Sequence, residues 1–212
     1  MLKLINISYK IDSKIIIEDI NLEFNNGLYA LIGLNGAGKT TLINIITTLK
    51  SPTKGDIIYN KKSALENPLI LRENLGYMSQ NIGLIQDFTV FQNIYYFGLL
   101  KGCERKTLKI NILEILKDFQ LDDYKNQKVK NLSGGQKQKI AFIISIINSP
   151  KLLILDEPVN NLDYIEREKM YLFLILLSKS CIIIISTHLV DEISQFCDHK
   201  VIVSNGLAFI EN

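Results

Sequence analysis

Short, nearly uninterrupted apolar runs alternate along this chain with longer stretches in which apolar residues recur at helical spacing. "LYALIG" (28–33), "KLLILDEP" (151–158) and "CIIIISTH" (181–188) are the clearest runs, and the last two end in polar residues. A strand covered on both faces reads this way, because neither face is left for polar side chains. "KTTLINIITTLK" (39–50) continues from the first run as a helix. This alternation predicts a mostly parallel sheet covered by helices. Leu2 to Phe24 reads instead as two β-rich segments around a turn at Asp12-Ser13, and "SPTKGDIIYN" as a turn and a strand, so an antiparallel flank is expected beside the core. Asn205-Gly206 is a hairpin signal closing a final strand pair. From about Thr89 to Gln127 strand character fades and helical periodicity takes over, with Thr89 and Gln92 placed as a capping box. The expected organisation is one α/β domain over 1–212 with a helical subdomain inserted at about 81–148.

Composition narrows the class without deciding it. The chain has 212 residues, 47% apolar and 22% charged, an ordinary globular balance. A net charge of +2 is too small to imply nucleic-acid binding by electrostatics alone. Cys103, Cys181 and Cys197 are widely spaced and odd in number, and the two histidines add no metal-type spacing. Buried, reduced thiols are expected. The start "MLKLINISYK" lacks the apolar run of a signal peptide. "AFIISIINSPKLLILDEP" and "YLFLILLSKSCIIIIS" are broken by Ser, Pro or Lys before reaching the roughly 20 apolar residues of a spanning helix. No transmembrane segment is expected.

The chemistry begins where the first strand ends. Gly33-Leu34-Asn35-Gly36-Ala37-Gly38-Lys39-Thr40 satisfies the pattern G-x-x-x-x-G-K-[ST] in full, between a predicted strand and a predicted helix. Glycines let the backbone wrap an oxyanion with its N–H groups pointing inward, and the following helix adds the positive end of its dipole. Lys39 supplies a charge for β- and γ-phosphates, and Thr40 a hydroxyl for Mg²⁺. A phosphate-loop NTPase core follows from this. "LLILDEP" places Asp156 and Glu157 at the carboxyl end of a buried strand, where open parallel sheets carry their sites. An Asp there can hold Mg²⁺ through water, and a neighbouring Glu can deprotonate an attacking water. "LSGGQ", Leu132 to Gln136, poses a puzzle. Ser133 and Gln136 form a second capping box, yet capping does not require the two consecutive glycines Gly134 and Gly135.

The phosphate loop, Gln80 in "LGYMSQ", "LSGGQ", "LLILDEP", "NNLD" and "STH" occur here in one order over essentially the whole chain. In this they resemble the ATPase subunits of ABC transporters. The resemblance implies two such domains docked head to tail, with ATP on one subunit's loop covered by the other subunit's "LSGGQ". It implies phosphate contacts from Lys39 and its loop, with Thr40 on Mg²⁺ and Thr41 near the α-phosphate. Gln80 would reach the metal and the attacking water, Asp156 the metal shell, and Glu157 would be the catalytic base. His188 would contact the γ-phosphate, Ser133, Gly134, Gly135 and Gln136 would face the partner's nucleotide, and Asp163 would link the sites. Lys137 and Lys139 read as a solvated helix face, with added positive charge near that nucleotide as the alternative, and His199 reads as structural. The family's adenine-stacking aromatic falls at Ile11 here, with Tyr9 two positions earlier on the same strand face. "VNNLDY" departs from the small residues usual before Leu-Asp. The resemblance further implies separate membrane permease subunits, a second ATPase subunit (an identical copy or a close paralogue), and a place on the cytoplasmic face of the membrane. "QNIGLIQDFTVFQN" resembles the permease-coupling region of two-component exporters of drugs or antimicrobial peptides. An importer ATPase or a soluble ABC ATPase would share the motifs.

Overall fold

The computed structural model describes residues 1–81 and 83–211. Ile82, inside the "QNIGLIQDFTVFQN" stretch, and Asn212 lie outside the described residues. In chain order the strands are β1 (Leu2–Ile11), β2 (Lys14–Phe24), β3 (Gly27–Ile32), β4 (Lys54–Tyr59), β5 (Lys62–Ser63), β6 (Leu75–Met78), β7 (Leu152–Asp156), β8 (Ile182–Ser186), β9 (His199–Ser204) and β10 (Leu207–Glu211). The helices are α1 (Lys39–Ile46), α2 (Leu69–Arg72), α3 (Val90–Leu100), α4 (Arg105–Asp118), α5 (Gly134–Ile146), α6 (Tyr164–Ser178) and α7 (Val190–Ile193).

Two sheets form. The antiparallel one runs β2-β1-β4-β5, and the larger one runs β10-β9-β3-β8-β7-β6. Within the larger sheet β9, β3, β8, β7 and β6 are parallel, and only the hairpin strand β10 is antiparallel. Both predicted turns are present, at Asp12 (φ 53°) and at Asn205-Gly206 (φ 49° and 80°). The near-continuous apolar runs are explained by the two-residue period of a strand. Leu152, Ile154, Ile182 and Ile184 point into a core shared with the antiparallel sheet and α1. Leu153, Leu155, Ile183 and Ile185 point the other way, into a core with α5, α6 and α7. Each such burial is worth about 1.5–3 kcal/mol against exposure.

A third core belongs to the helices alone. Val90 and Ile94 of α3, Leu108, Ile112 and Leu116 of α4, and Ile140 and Ile143 of α5 pack there with Leu121 and Val129. α3 and α4 cross closely at Gly98, where a Cβ would stand 2.7 Å from a Leu108 methyl. The Thr89–Gln92 capping box forms as expected. α1 is shorter than "KTTLINIITTLK" suggested. It stops at Ile46, where the Thr47 hydroxyl turns back to the Ile43 carbonyl (2.9 Å) and Thr48 takes φ 58°. The β-branched Thr-Thr pair favours this exit over another helical turn. Of the three cysteines, all free, only Cys181 is fully buried; Cys103 and Cys197 are half-buried. Burial pushes the Cys181 thiol up to about 11. No helix among the described residues is long and apolar enough to cross a membrane.

Candidate active site

The phosphate-type loop leaves β3 through a place only glycine can occupy. A Cβ on Gly33 would lie 2.3 Å from the Val203 carbonyl of β9, so the loop is pressed against the sheet at its root. Gly36 (φ 81°) and Gly38 (φ 107°) take left-handed conformations open to glycine, and the Ala37 N–H closes a turn on the Leu34 carbonyl at 3.1 Å. Gly38 is the N-cap of α1 and offers no side chain to its first amides. Those amides are left to an outside acceptor, at the end of the helix that favours negative charge. Lys39 Nζ arches back to donate to the carbonyls of Gly33 (2.6 Å) and Leu34 (3.2 Å), holding its charge over the loop.

Across from the loop stand the carboxylates at the end of β7. Asp156 is 4% exposed and accepts a hydrogen bond from the Ser186 hydroxyl of β8. The Glu157 N–H donates to both the hydroxyl and the carbonyl of Ser186, each at 3.1 Å. Glu157 itself holds φ 54°, and its carbonyl accepts from Gln138 Nε2 at 2.9 Å. Its carboxylate meets His188 Nδ1 at 2.9 Å, with the imidazole side chain 62% exposed and the carboxylate 14%. Asn35, Gly36, Gly38, Lys39, Thr40, Thr41, Gln80, Asp156 and Glu157 all line one cavity of about 220 Å³. Leu34 and Ala37 line a neighbouring cavity with Asn35 and Gly36, on the side of the Asn205-Gly206 hairpin. His188 joins the first group through Glu157. Burial and the Asp156 carboxylate together raise the Tyr77 phenol.

The second glycine motif lies elsewhere. Ser133, Gly134, Gly135, Gln136 and Asp163 line a broad cleft of about 620 Å³ that shares no lining residue with the first cavity. Ser133 and Gln136 close the expected capping box on α5, and Asp163 caps α6 through the Glu166 N–H (2.8 Å). The two glycines differ. A Cβ on Gly135 would stand 2.7 Å from the Asn161 carbonyl, whereas one on Gly134 would make ordinary contact with the Asn161 side chain at 3.4 Å. Close approach of the 158–163 loop therefore accounts for Gly135.

Other expectations change. Lys139 is not on a solvated face; it pairs with Glu166 at 2.9 Å with its side chain 12% exposed. Tyr9 is half-buried against the core between the sheets, with the Lys50 ammonium 5.3 Å from its ring centre, and it lines neither cavity at the loop. Ile11 is 48% exposed. His199 stacks on Tyr29 at 4.9 Å, a structural place as expected. Ser186, Gln138 and the bidentate Arg167–Glu192 pair (2.8 and 2.9 Å) carry contacts that sequence reasoning did not assign. "STH" held the one available signal, for Ser186.

A phosphate loop facing an acidic strand end across a parallel sheet is the equipment of nucleoside triphosphate hydrolysis, and the class is that of nucleotide-binding ATPases. Comparison with known proteins narrows the class. Residues 17–160 match the family described as ABC transporter, and the chain belongs to it. It is 30% identical over 193 residues to the ABC transporter ATP-binding protein NatA of Bacillus subtilis, covering 90% of this chain and 78% of that one. It is 33% identical over 209 residues to the spermidine/putrescine import ATP-binding protein PotA of Spiroplasma citri, covering 97% of this chain but 59% of PotA. Among solved structures, the dimeric ATP-binding cassette MJ0796 bound to ADP and Pi matches with TM-score 0.88 and 27% identity, over 100% of this chain and 98% of that one.

Proposed function

We propose that this chain hydrolyses ATP to drive transport by separate membrane permease subunits, through ATP-dependent head-to-tail pairing with a second ATPase subunit. The separation of its two glycine motifs carries this reading. Ser133 to Gln136 share no cavity with the loop at Lys39, so a nucleotide gripped by both needs two chains. The dimeric MJ0796 cassette supports the pairing. Lys39 and the first amides of α1 neutralise the triphosphate. Glu157 takes the proton of the attacking water, with His188 orienting the carboxylate and reaching toward the γ-phosphate. Ser133 to Gln136 meet the partner's nucleotide, and Asp163 sits between the two sites.

The donor set fits magnesium. Thr40, Gln80 and Asp156 offer only oxygen on the protein side, and no group of three acidic, His or Cys side chains forms a cage among the described residues. Magnesium suits such a site, keeping waters and taking oxygens from the nucleotide. When bound it would neutralise charge on the phosphates. At the nucleobase end Ile11 is the freer platform, being 48% exposed while Tyr9 is half-buried against the core. The helical subdomain at about 81–148 transmits closure to the permease at the cytoplasmic face. Export is the direction favoured by the "QNIGLIQDFTVFQN" resemblance, while the name of PotA favours import. Pull-down from detergent-solubilised membranes, with the permease identified, separates the two. For the mechanism, Glu157→Gln should slow turnover by about 10²–10⁴-fold while ATP binding persists and an ATP-dependent dimer accumulates. Undiminished turnover would refute it.

A further inference from the structure

We propose that Gln138 is a positioning residue for Glu157, tying the general base to the helix that begins at Ser133. The inference rests on the reading of Glu157 as base and of the Ser133 end as the part facing a partner's nucleotide. Glu157 occupies a backbone conformation (φ 54°) that a non-glycine residue holds only when its surroundings fix it. Its peptide groups are fixed from two directions. The N–H is held twice by Ser186, and the carbonyl accepts from Gln138 Nε2 at 2.9 Å, with only a long second contact from the Asn160 N–H at 3.4 Å.

Gln138 is 3% exposed, so its amide works without competition from water. It lies five residues past the Ser133 cap on one unbroken helix, about 7.5 Å along the axis. Any tilt or shift of α5 imposed at Ser133 therefore reaches the Glu157 carbonyl directly through this side chain. Because the carboxylate hangs from that same residue, its aim at water and at His188 Nδ1 follows. Gln138 touches no reacting atom. It sets where the base points, and it makes that aim depend on what α5 contacts at its other end.

The test uses the full chain, with single-turnover and steady-state MgATP hydrolysis, ATP affinity and thermal melting. Gln138→Met keeps the length and removes the donor. Gln138→Asn keeps the amide one methylene short, and serves if the methionine variant fails to fold. Expected is a fall in kcat of about 10- to 100-fold, the loss a misaimed group produces, with KM and ATP affinity unchanged. In a Glu157→Gln background the same change should slow turnover no further, since the path it acts through is already gone. A folded Gln138→Met with normal kcat, or one that slows both backgrounds by the same factor, overturns the positioning role. Full turnover in Glu157→Gln alone would instead overturn the base, and the positioning role with it.

Discussion

Replacing Ser186 by alanine removes one hydroxyl from a fully buried place. Ser186 is fully buried and Asp156 is 4% exposed. The hydroxyl donates to Asp156 Oδ1 and accepts from the Glu157 N–H. The loss falls on the carboxylate, because the Glu157 N–H keeps the Ser186 carbonyl at 3.1 Å. A hydrogen bond to a charged group contributes about 1.5–3 kcal/mol. For a domain of this length each kcal/mol moves the melting point by about 2–4 °C, so Ser186→Ala should melt about 3–12 °C lower. The assay is thermal and urea unfolding of the nucleotide-free chain, repeated in an Asp156→Ala background. There the serine has lost its charged acceptor, and the same substitution should cost little. An equal loss in both backgrounds would refute the assignment, since it would show a packing effect indifferent to the carboxylate.

Two further outcomes are expected. Lys101 donates to the Ser145 carbonyl and the Asn148 side chain, and desolvation brings its ammonium from 10.5 down to about 8. Between those values the native state has released a proton that the unfolded chain still holds, so stability rises with pH from about 8 to 10.5, by at most about 3 kcal/mol. Measured against Lys101→Met, the wild type should gain over that window in unfolding experiments, and a pH-independent difference would refute the burial effect. Gly135→Ala should destabilise by about 1–3 kcal/mol, because its Cβ meets the Asn161 carbonyl at 2.7 Å. Gly134→Ala, with 3.4 Å of room, should shift unfolding by less than about 1 kcal/mol. Equal effects of the two alanines would contradict the packing explanation.

The sequence made legible whatever depends on neighbours in the chain. Ile182 to Ile185 announce a strand buried on both faces because every position is apolar, and Thr89-x-x-Gln92 announces a helix start because its bonds close within one turn. The loop at Gly33 to Thr40 was readable for the same reason. Contacts made by the fold were not readable. Gln138 reaches across 19 residues and Ser186 across 30 to the end of β7, and neither spacing carries a signal before the sheet order is known. Lys139 looked solvated because its partner, Glu166, comes from α6. Tyr9 shares a strand face with Ile11, but alternation could not show that Lys50 covers its ring.

α5 presents Phe142 and Ile146 to the core under the sheet and Ile140 and Ile143 to the core of the helices. A helix with an apolar face on each side is a tie between two cores. Pulling α5 away from either neighbour would expose a whole core to water. Ile115 and Phe119, at the end of α4, add a second fastening to the core under the sheet. The helical layer is therefore riveted to the sheet, and the end of β7 lies beside the rivet, within reach of Gln138.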